Sequence, residues 1–374
     1  MKKAILWFVF LVCFAGLAAS VQNPDTPEKG EWDFKLRRMW EVTRAGEEVI
    51  GRPLQVAVTE NGHVVIFDVQ FGTNRLFTPE GEFITSFGKR GEGPGEIKNQ
   101  SWMYAVGDRV AVPDGAKVHY FGQDGTYLES LAKPFNVNVV GFIDTTTVLA
   151  APLTVFQMPE GKARISLFDL KNRKEKLLSE FEVFEGGTGQ SGGQTYDVIL
   201  PGLSPLMTVG CFAGTLYYGM SNAYVIHRAD LQGKQIGRFS LQRKKRPVSR
   251  SAKKDRFRDS QMPPDAVKQI VDSLPDEIAS FDRIEGHRGL IYVFVADLEH
   301  WKDRDRQPKQ IDIFSPEGRY LYRSFLRFPE GGHLFNTPFT NLAIGDGYLV
   351  AALEDTEGEV KLAKYRVTLP DPPR

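Results

Sequence analysis

Thr73-Asn-Arg-Leu-Phe-Thr-Pro-Glu-Gly-Glu-Phe-Ile-Thr-Ser-Phe87 is the stretch that decides the architecture. Two runs of alternating apolar and polar residues flank a turn at Pro79-Glu-Gly81, as a half-buried antiparallel hairpin requires. The pattern returns at residues 116–131 with a turn at Gln123-Asp-Gly125, at 164–181, at 223–240 around Gln232-Gly233, and at 309–325 around Pro316-Glu-Gly318. Upstream of each copy lies a second apolar hairpin, over 54–68, 102–113, 137–151, 207–220 and 278–296. Four short strands per unit, repeated along the chain, describe the blade of a propeller. A sixth unit, over 339–344, 348–353 and 360–367, lacks one strand. Residues 34–42 alternate well enough to supply it from the other end of the chain, which would close the ring and remove an open sheet edge. The expectation is an all-β, six-bladed β-propeller over residues 34–369, preceded by a linker at 21–33.

The 374 residues carry 47 Lys and Arg against 47 Asp and Glu, with 41% hydrophobic residues and two cysteines. Balanced charge removes the general attraction expected of a nucleic-acid binder, and the apolar content excludes a disordered chain. The start reads Met1-Lys2-Lys3, an apolar run over 4–17, then Ala18-Ala19-Ser20, the pattern of a secretory signal peptide cleaved after Ser20. That apolar run is too short to span a bilayer comfortably, and no later stretch approaches the ~18 apolar residues of a membrane helix. A secreted or periplasmic protein with no transmembrane segment after cleavage is expected, its net charge minus two once Lys2 and Lys3 are gone. Cys211, the cysteine that would remain, stands in an apolar stretch that favours a buried, inert thiol.

Phe87-Gly88-Lys-Arg-Gly91-Glu-Gly93-Pro-Gly95-Glu96-Ile97, following Val65-Ile66-Phe67-Asp68 and Asn74-Arg75-Leu76-Phe77, resembles the NHL-repeat pattern. The chain as a whole resembles secreted bacterial six-bladed propellers of the NHL and TolB-like groups. The glycine-rich stretch precedes a strand and lacks the Gly-Lys-Ser/Thr ending of a phosphate loop, so it is not read as a nucleotide site. The resemblance brings two precedents for chemistry: amidating lyases of the NHL group hold metal with histidines from different blades, and gluconolactonase-like propellers use carboxylates and asparagine near the axis.

Strand connectivity assigns the loops to faces. Turns joining strands one to two and three to four share one face of the disc and are uniformly short. The long segments, 88–100, 152–163, 185–203, 241–276, 298–308 and 327–338, all belong to the other face, where binding is expected. Glycine-rich 184–196 could bring its backbone close to a ligand, and the insertion 241–276 opens with nine Lys or Arg over 243–258 against Asp255 alone. Apolar spacing between Pro263 and Pro275 predicts one short amphipathic helix. Arg90, Tyr196, His300, Trp301, His333 and Phe335 are the candidate ligand contacts, because aromatic and Arg side chains combine large area with directed polar groups. Asn138, Asp282 and Asn341, with Asn136, Thr208 and Thr340, are the polar residues expected at the axial channel.

Six scattered histidines, with no His-x-x-x-His or Cys-x-x-Cys, identify no metal site, and His119 and His227 fall in third strands where a structural role is expected. Asp68, Asp114 and Asp297 recur at second-strand ends, which favours a repeated structural role. No nucleophile motif is present. Two functions follow: a non-catalytic propeller binding a protein, peptide or glycan on its long-loop face, or a metal-dependent lyase or hydrolase, with Ca or Zn, at the mouth of the axial channel.

Overall fold

Six four-stranded antiparallel sheets succeed one another around a ring in the computed structural model, which describes residues 19–100, 102–134, 137–151, 162–182, 187–200, 202–298, 308–335 and 341–372. Blade one is Pro53–Val58, Val64–Asp68, Thr73–Phe77 and Phe83–Phe87, counted from the axis outward, and blade two is Tyr104–Val106, Arg109–Pro113, Lys117–Phe121 and Tyr127–Ala132. Val139–Phe142, Thr147–Ala150, Lys162–Asp169 and Lys174–Glu182 form blade three, and Met207–Phe212, Thr215–Met220, Val225–Asp230 and Gln235–Gln242 blade four. Blade five comprises Arg283–His287, Leu290–Phe294, Lys309–Phe314 and Tyr320–Leu326. In blade six, Leu342–Gly345, Tyr348–Glu354 and Val360–Arg366 are completed by Arg37–Val42, which pairs antiparallel with Val360–Arg366. The ring is therefore closed by the N-terminal strand, as the alternation over 34–42 predicts. Second strands are the most deeply buried, Val64–Asp68 and Leu290–Phe294 at every position, because each lies between two strands and two blades.

Blades are coupled through their three-to-four turns. Gly318 adopts φ +100°, and a Cβ there would come within 2.4 Å of Phe239 on the outer strand of blade four. Gly81 is set the same way against Trp40 of blade six, Gly125 against Thr85 of blade one and Gly233 against Leu178 of blade three. The Pro-Glu-Gly signature thus does two things: it reverses the chain, and it lets each turn rest on the previous blade.

Residues 21–33, expected as a linker, are instead an ordered strap. Ala19–Pro24 adds a fifth strand to blade four, parallel to Gln235–Gln242. The chain then crosses blade five, where Glu28 N and Lys29 N donate to Tyr320 O and Leu321 O and Trp32 N to Arg323 O, before entering blade six. Parallel pairing leaves no hairpin signal in the sequence. The strap is pinned by Asn23, whose amide donates to Ser240 O and Gly318 O while its Oδ1 accepts Tyr320 N, and by Asp25, which accepts from Arg243 at 2.8 Å and Arg323 at 2.7 Å. Behind Asp25 lies Asp312, wholly buried, taking Arg243, Tyr224 and Tyr320 at 2.7 Å each. Arg243 is held firmly protonated: its hydrogen bonds to Asp312 and Asp25 outweigh its burial. The C-terminal tail closes over the strap, with Trp32 Nε1 donating to Thr368 O and Thr368 N to Phe34 O.

No helix among the described residues is long and apolar enough to cross a membrane. The predicted helix is present as α2, Pro264–Ser273, with Pro264 in its first turn. A shorter α1, Arg250–Asp255, precedes it, capped by the Ser249 hydroxyl that accepts Ala252 N.

Two expectations test this frame. A chain beginning at Arg44 should melt well below one beginning at Val21, since it loses both the strap and the closing strand; equal melting would refute closure. Gly318→Ala should cost roughly 2–4 kcal/mol from strain plus overpacking, whereas Gly347→Ala, with φ +77° but nothing within 4 Å, should cost about 1. Chemical denaturation of the two variants measures the difference.

Candidate functional site on the long-loop face

The long connections are built outward from the second-strand ends. Asp68 and Asp114 act as the recurrence predicts. Asp68 accepts Gly51 N and Arg52 N, and Asp114 accepts Lys98 N, Asn99 N and Gly115 N, so each ties its blade to the segment entering an inner strand. Asp297 departs from this role and pairs with Lys309 at 3.0 Å.

The insertion 241–276 folds into a cap with a core of its own, where Val248, Phe257, Ile270, Val271 and Leu274 meet Leu203 and pack with Tyr196, Val198 and Leu298. Its stem is an antiparallel crossing in which Ile278 N donates to Arg246 O and Val248 N to Asp276 O. A hairpin, Thr188–Ser191 with Gln194–Asp197, lies on α2. Gly189 is where the glycine-rich stretch makes its close approach, and the partner is the helix: a Cβ would stand 2.3 Å from Ala266 O. Gln269 fastens the contact by bonding both Gln190 N and Gln190 O.

The basic run is divided: Lys244, Lys245, Arg250, Lys254 and Arg258 are exposed, whereas Arg243, Arg246, Lys253 and Arg256 reach inward. Lys245 pairs with Glu277, Arg250 with Asp272, Arg258 with Asp255, and Lys253, itself buried, with Asp276 and Leu274 O. Arg246 reaches Ala296 O, and Arg256 donates to Leu298 O at 3.0 Å. Lys and Arg here are the cap's fastenings.

At the axis, Asn138, Asp282 and Asn341 occupy one position of the repeat, each immediately before an inner strand, on blades three, five and six. Asn138 donates to Ala151 O and Asn341 to Phe335 O. Asp282 bonds Lys309, whose ammonium also holds Asp297, and Arg283 beside it pairs with Glu285 and donates to Leu342 O on blade six. Two carboxylates hold Lys309 protonated against its burial, while burial pushes Asp282 above the usual carboxylate range. Lys309 and Arg283 thus pair with three acids, Asp282, Asp297 and Glu285, while Arg246 nearby bonds backbone carbonyls. Among the described residues, no group of three or more His, Cys, Asp or Glu side chains could hold a metal, and the two axial carboxylates already share an ammonium.

The other candidates scatter. Arg90 is exposed and bridges to Ile97, Tyr196 is half-buried in the cap with its hydroxyl on Gln194, and His300, Trp301, Asn136 and Thr340 lie outside the described residues. His333 begins a two-residue strand, His333–Leu334, paired with Tyr348–Glu354, and Phe335 packs against the core between blades six and one. Thr208 is buried in blade four. Cys211, expected buried, is exposed near the turn that ends the inner strand of blade four, although partial burial still pushes the thiol up. Phe71, which loop sequence does not mark, is exposed on this face in the two-to-three loop of blade one.

Fold and face together define a six-bladed propeller with one plain and one capped side. No family model and no curated protein matches the sequence. Two solved structures share the fold. One is a Bacteroides fragilis protein assigned as exported, 14% identical, with a TM-score of 0.55 over 94% of this chain and all of that one. The other, a DUF4221 family member from Bacteroides vulgatus, is 11% identical, with a TM-score of 0.56 over 91% of this chain and 99% of that one.

Burial lowers the affinity of His119, His227 and His287 for protons. Below their ordinary pKa of about 6.5 the unfolded chain binds protons that the folded chain refuses, so stability should be flat above that pH and fall as pH drops through the depressed folded values. Denaturant midpoints from pH 8 to pH 5 measure this, and His119→Gln should flatten part of the slope. Lys309→Met should cost roughly 3–5 kcal/mol by leaving Asp282 and Asp297 facing each other.

Proposed function

We propose that this chain is an exported, non-catalytic propeller of the NHL-like or TolB-like kind, which binds a protein, peptide or glycan on its long-loop face. The asymmetry of the disc carries the reading. One face consists of tight turns, whereas the other supports a cap with its own hydrophobic core beside a compensated ion cluster at the axis. Ordering such insertions is costly, and they are kept where they serve recognition. The axial ion pairs of Lys309 with Asp282 and Asp297 hold those side chains in place before a ligand arrives, which suits a preformed binding surface. Export rests on the leader over residues 1–20, and the NHL-like assignment on the glycine-rich loop 88–97 between blades one and two.

Hydrogen exchange with a ligand found by screening tests the reading. Protection should fall on the segments around 88–100, 187–200 and 241–276 and leave the turns at Asn61-Gly62 and Gly345-Asp-Gly347 unchanged. Protection confined to those turns would put the site on the other face.

A further inference from the structure

Resting on the reading that the long-loop face binds a ligand, we propose that Gln70 and Phe71 form a subsite for a neutral sugar ring. Phe71 is 38% exposed and is the one exposed aromatic residue among those described. An exposed phenyl ring ordinarily swings freely, but this one is held from two sides. Behind it stands the Arg75 guanidinium, 4.2 Å from the ring centroid. Arg75 is itself wholly buried and fixed by Val49 O at 2.7 Å, Glu48 at 2.9 Å and Asp68 at 3.6 Å. Beneath it lies Gly51, where a Cβ would come within 2.8 Å of both the Phe71 ring and the Gln70 amide.

Gly51 is therefore the floor on which an amide and an aromatic ring are laid side by side. Asp68 fastens that floor to the loop above. Its carboxylate accepts Gly51 N, Arg52 N and Gln70 N, and its carbonyl accepts Gly72 N. The pieces are fixed before any ligand arrives, so little side-chain entropy is lost on binding.

Chemistry selects the occupant. A flat ring with a free face stacks on the C–H face of a pyranose, and a neighbouring amide offers both a donor and an acceptor to its hydroxyls. The local charges cancel, Arg52 and Arg75 against Glu48 and Asp68, so an ionic ligand gains little Coulomb energy here. A neutral, hydroxyl-rich ring is what remains.

The test titrates the folded protein with maltohexaose, cellohexaose and chitohexaose, followed by saturation-transfer NMR, alongside a pool of random nonapeptides. At least one hexasaccharide should bind, weakened about tenfold by Phe71→Ala and retained by Phe71→Trp, with near-UV circular dichroism confirming that both variants are folded. Equal binding by Phe71→Ala, or no hexasaccharide bound at millimolar concentration, overturns the subsite. Peptides bound in a Phe71-dependent way also overturn it, yet leave the long-loop face as the binding face. Sugar binding that protects only the short turns overturns both.

Discussion

Four of the six blades lean on the one before through a glycine with little or no room for a side chain. Where Gly318 meets Phe239, or Gly81 meets Trp40, the turn between third and fourth strands is pressed against the neighbouring outer strand closely enough that even a methyl group would collide. The contact fixes the spacing of the blades, and the spacing fixes where the inner strands converge on the axis. Blade three is the informative exception: its turn carries Arg173, at φ +55°, in place of a glycine. Blade six needs no such turn, because its outer strand arrives from the N-terminus.

Closure at one junction would leave that junction weaker than the five continuous ones. The strap answers this by spreading the N-terminus over three blades, and the Asp25–Arg243–Asp312 network clamps it. Buried ion networks are not strongly stabilising in themselves, because desolvation offsets much of the attraction. What this one supplies is position: removing any member strands a charge, so the strap has one register. Arg243 also begins the cap insertion, and three residues later Arg246 reaches the carbonyl of Ala296 beside the axial cluster. One short basic run therefore ties ring closure, cap and axis together.

Blade boundaries, the closing strand and α2 were legible in the sequence because each has a local signature: a period-two alternation, a Gly-containing turn, a 3.6-residue stripe between prolines. The strap was not, since parallel pairing to a strand more than 200 residues away leaves no mark on either partner. The pairing of the basic run was hidden for a related reason. Nine basic residues mark an exposed loop, but the acids some of them pair with, Asp25, Asp272, Asp276, Glu277 and Asp312, are distributed through segments the run cannot reveal. Asn138, Asp282 and Asn341 were singled out as polar residues beside inner strands, and each does stand immediately before one. Phe71 was missed because exposure of a residue in a short loop depends on what lies beneath it, here a glycine twenty residues upstream.

The same division of labour explains why recognition is concentrated on one side. Stability resides in the strands and in the turns of the plain face, where each glycine contact would be broken by an insertion. Long-loop glycines such as Gly51 and Gly189 pack within their own loops and cap rather than setting the blade spacing, and closing a longer loop adds little entropic cost, so these connections can become a hairpin, a cap or an aromatic platform. Blade one and blade four stand opposite each other in a ring of six, with Gln70 and Phe71 on the first and the root of the cap after the second. A ligand reaching between them must cross the axial mouth, where Lys309 and Arg283 already have partners. Such a ligand would meet a hydrogen-bonding floor rather than a charge, which is the environment that a neutral chain of rings can traverse without paying to strip away its own counterions.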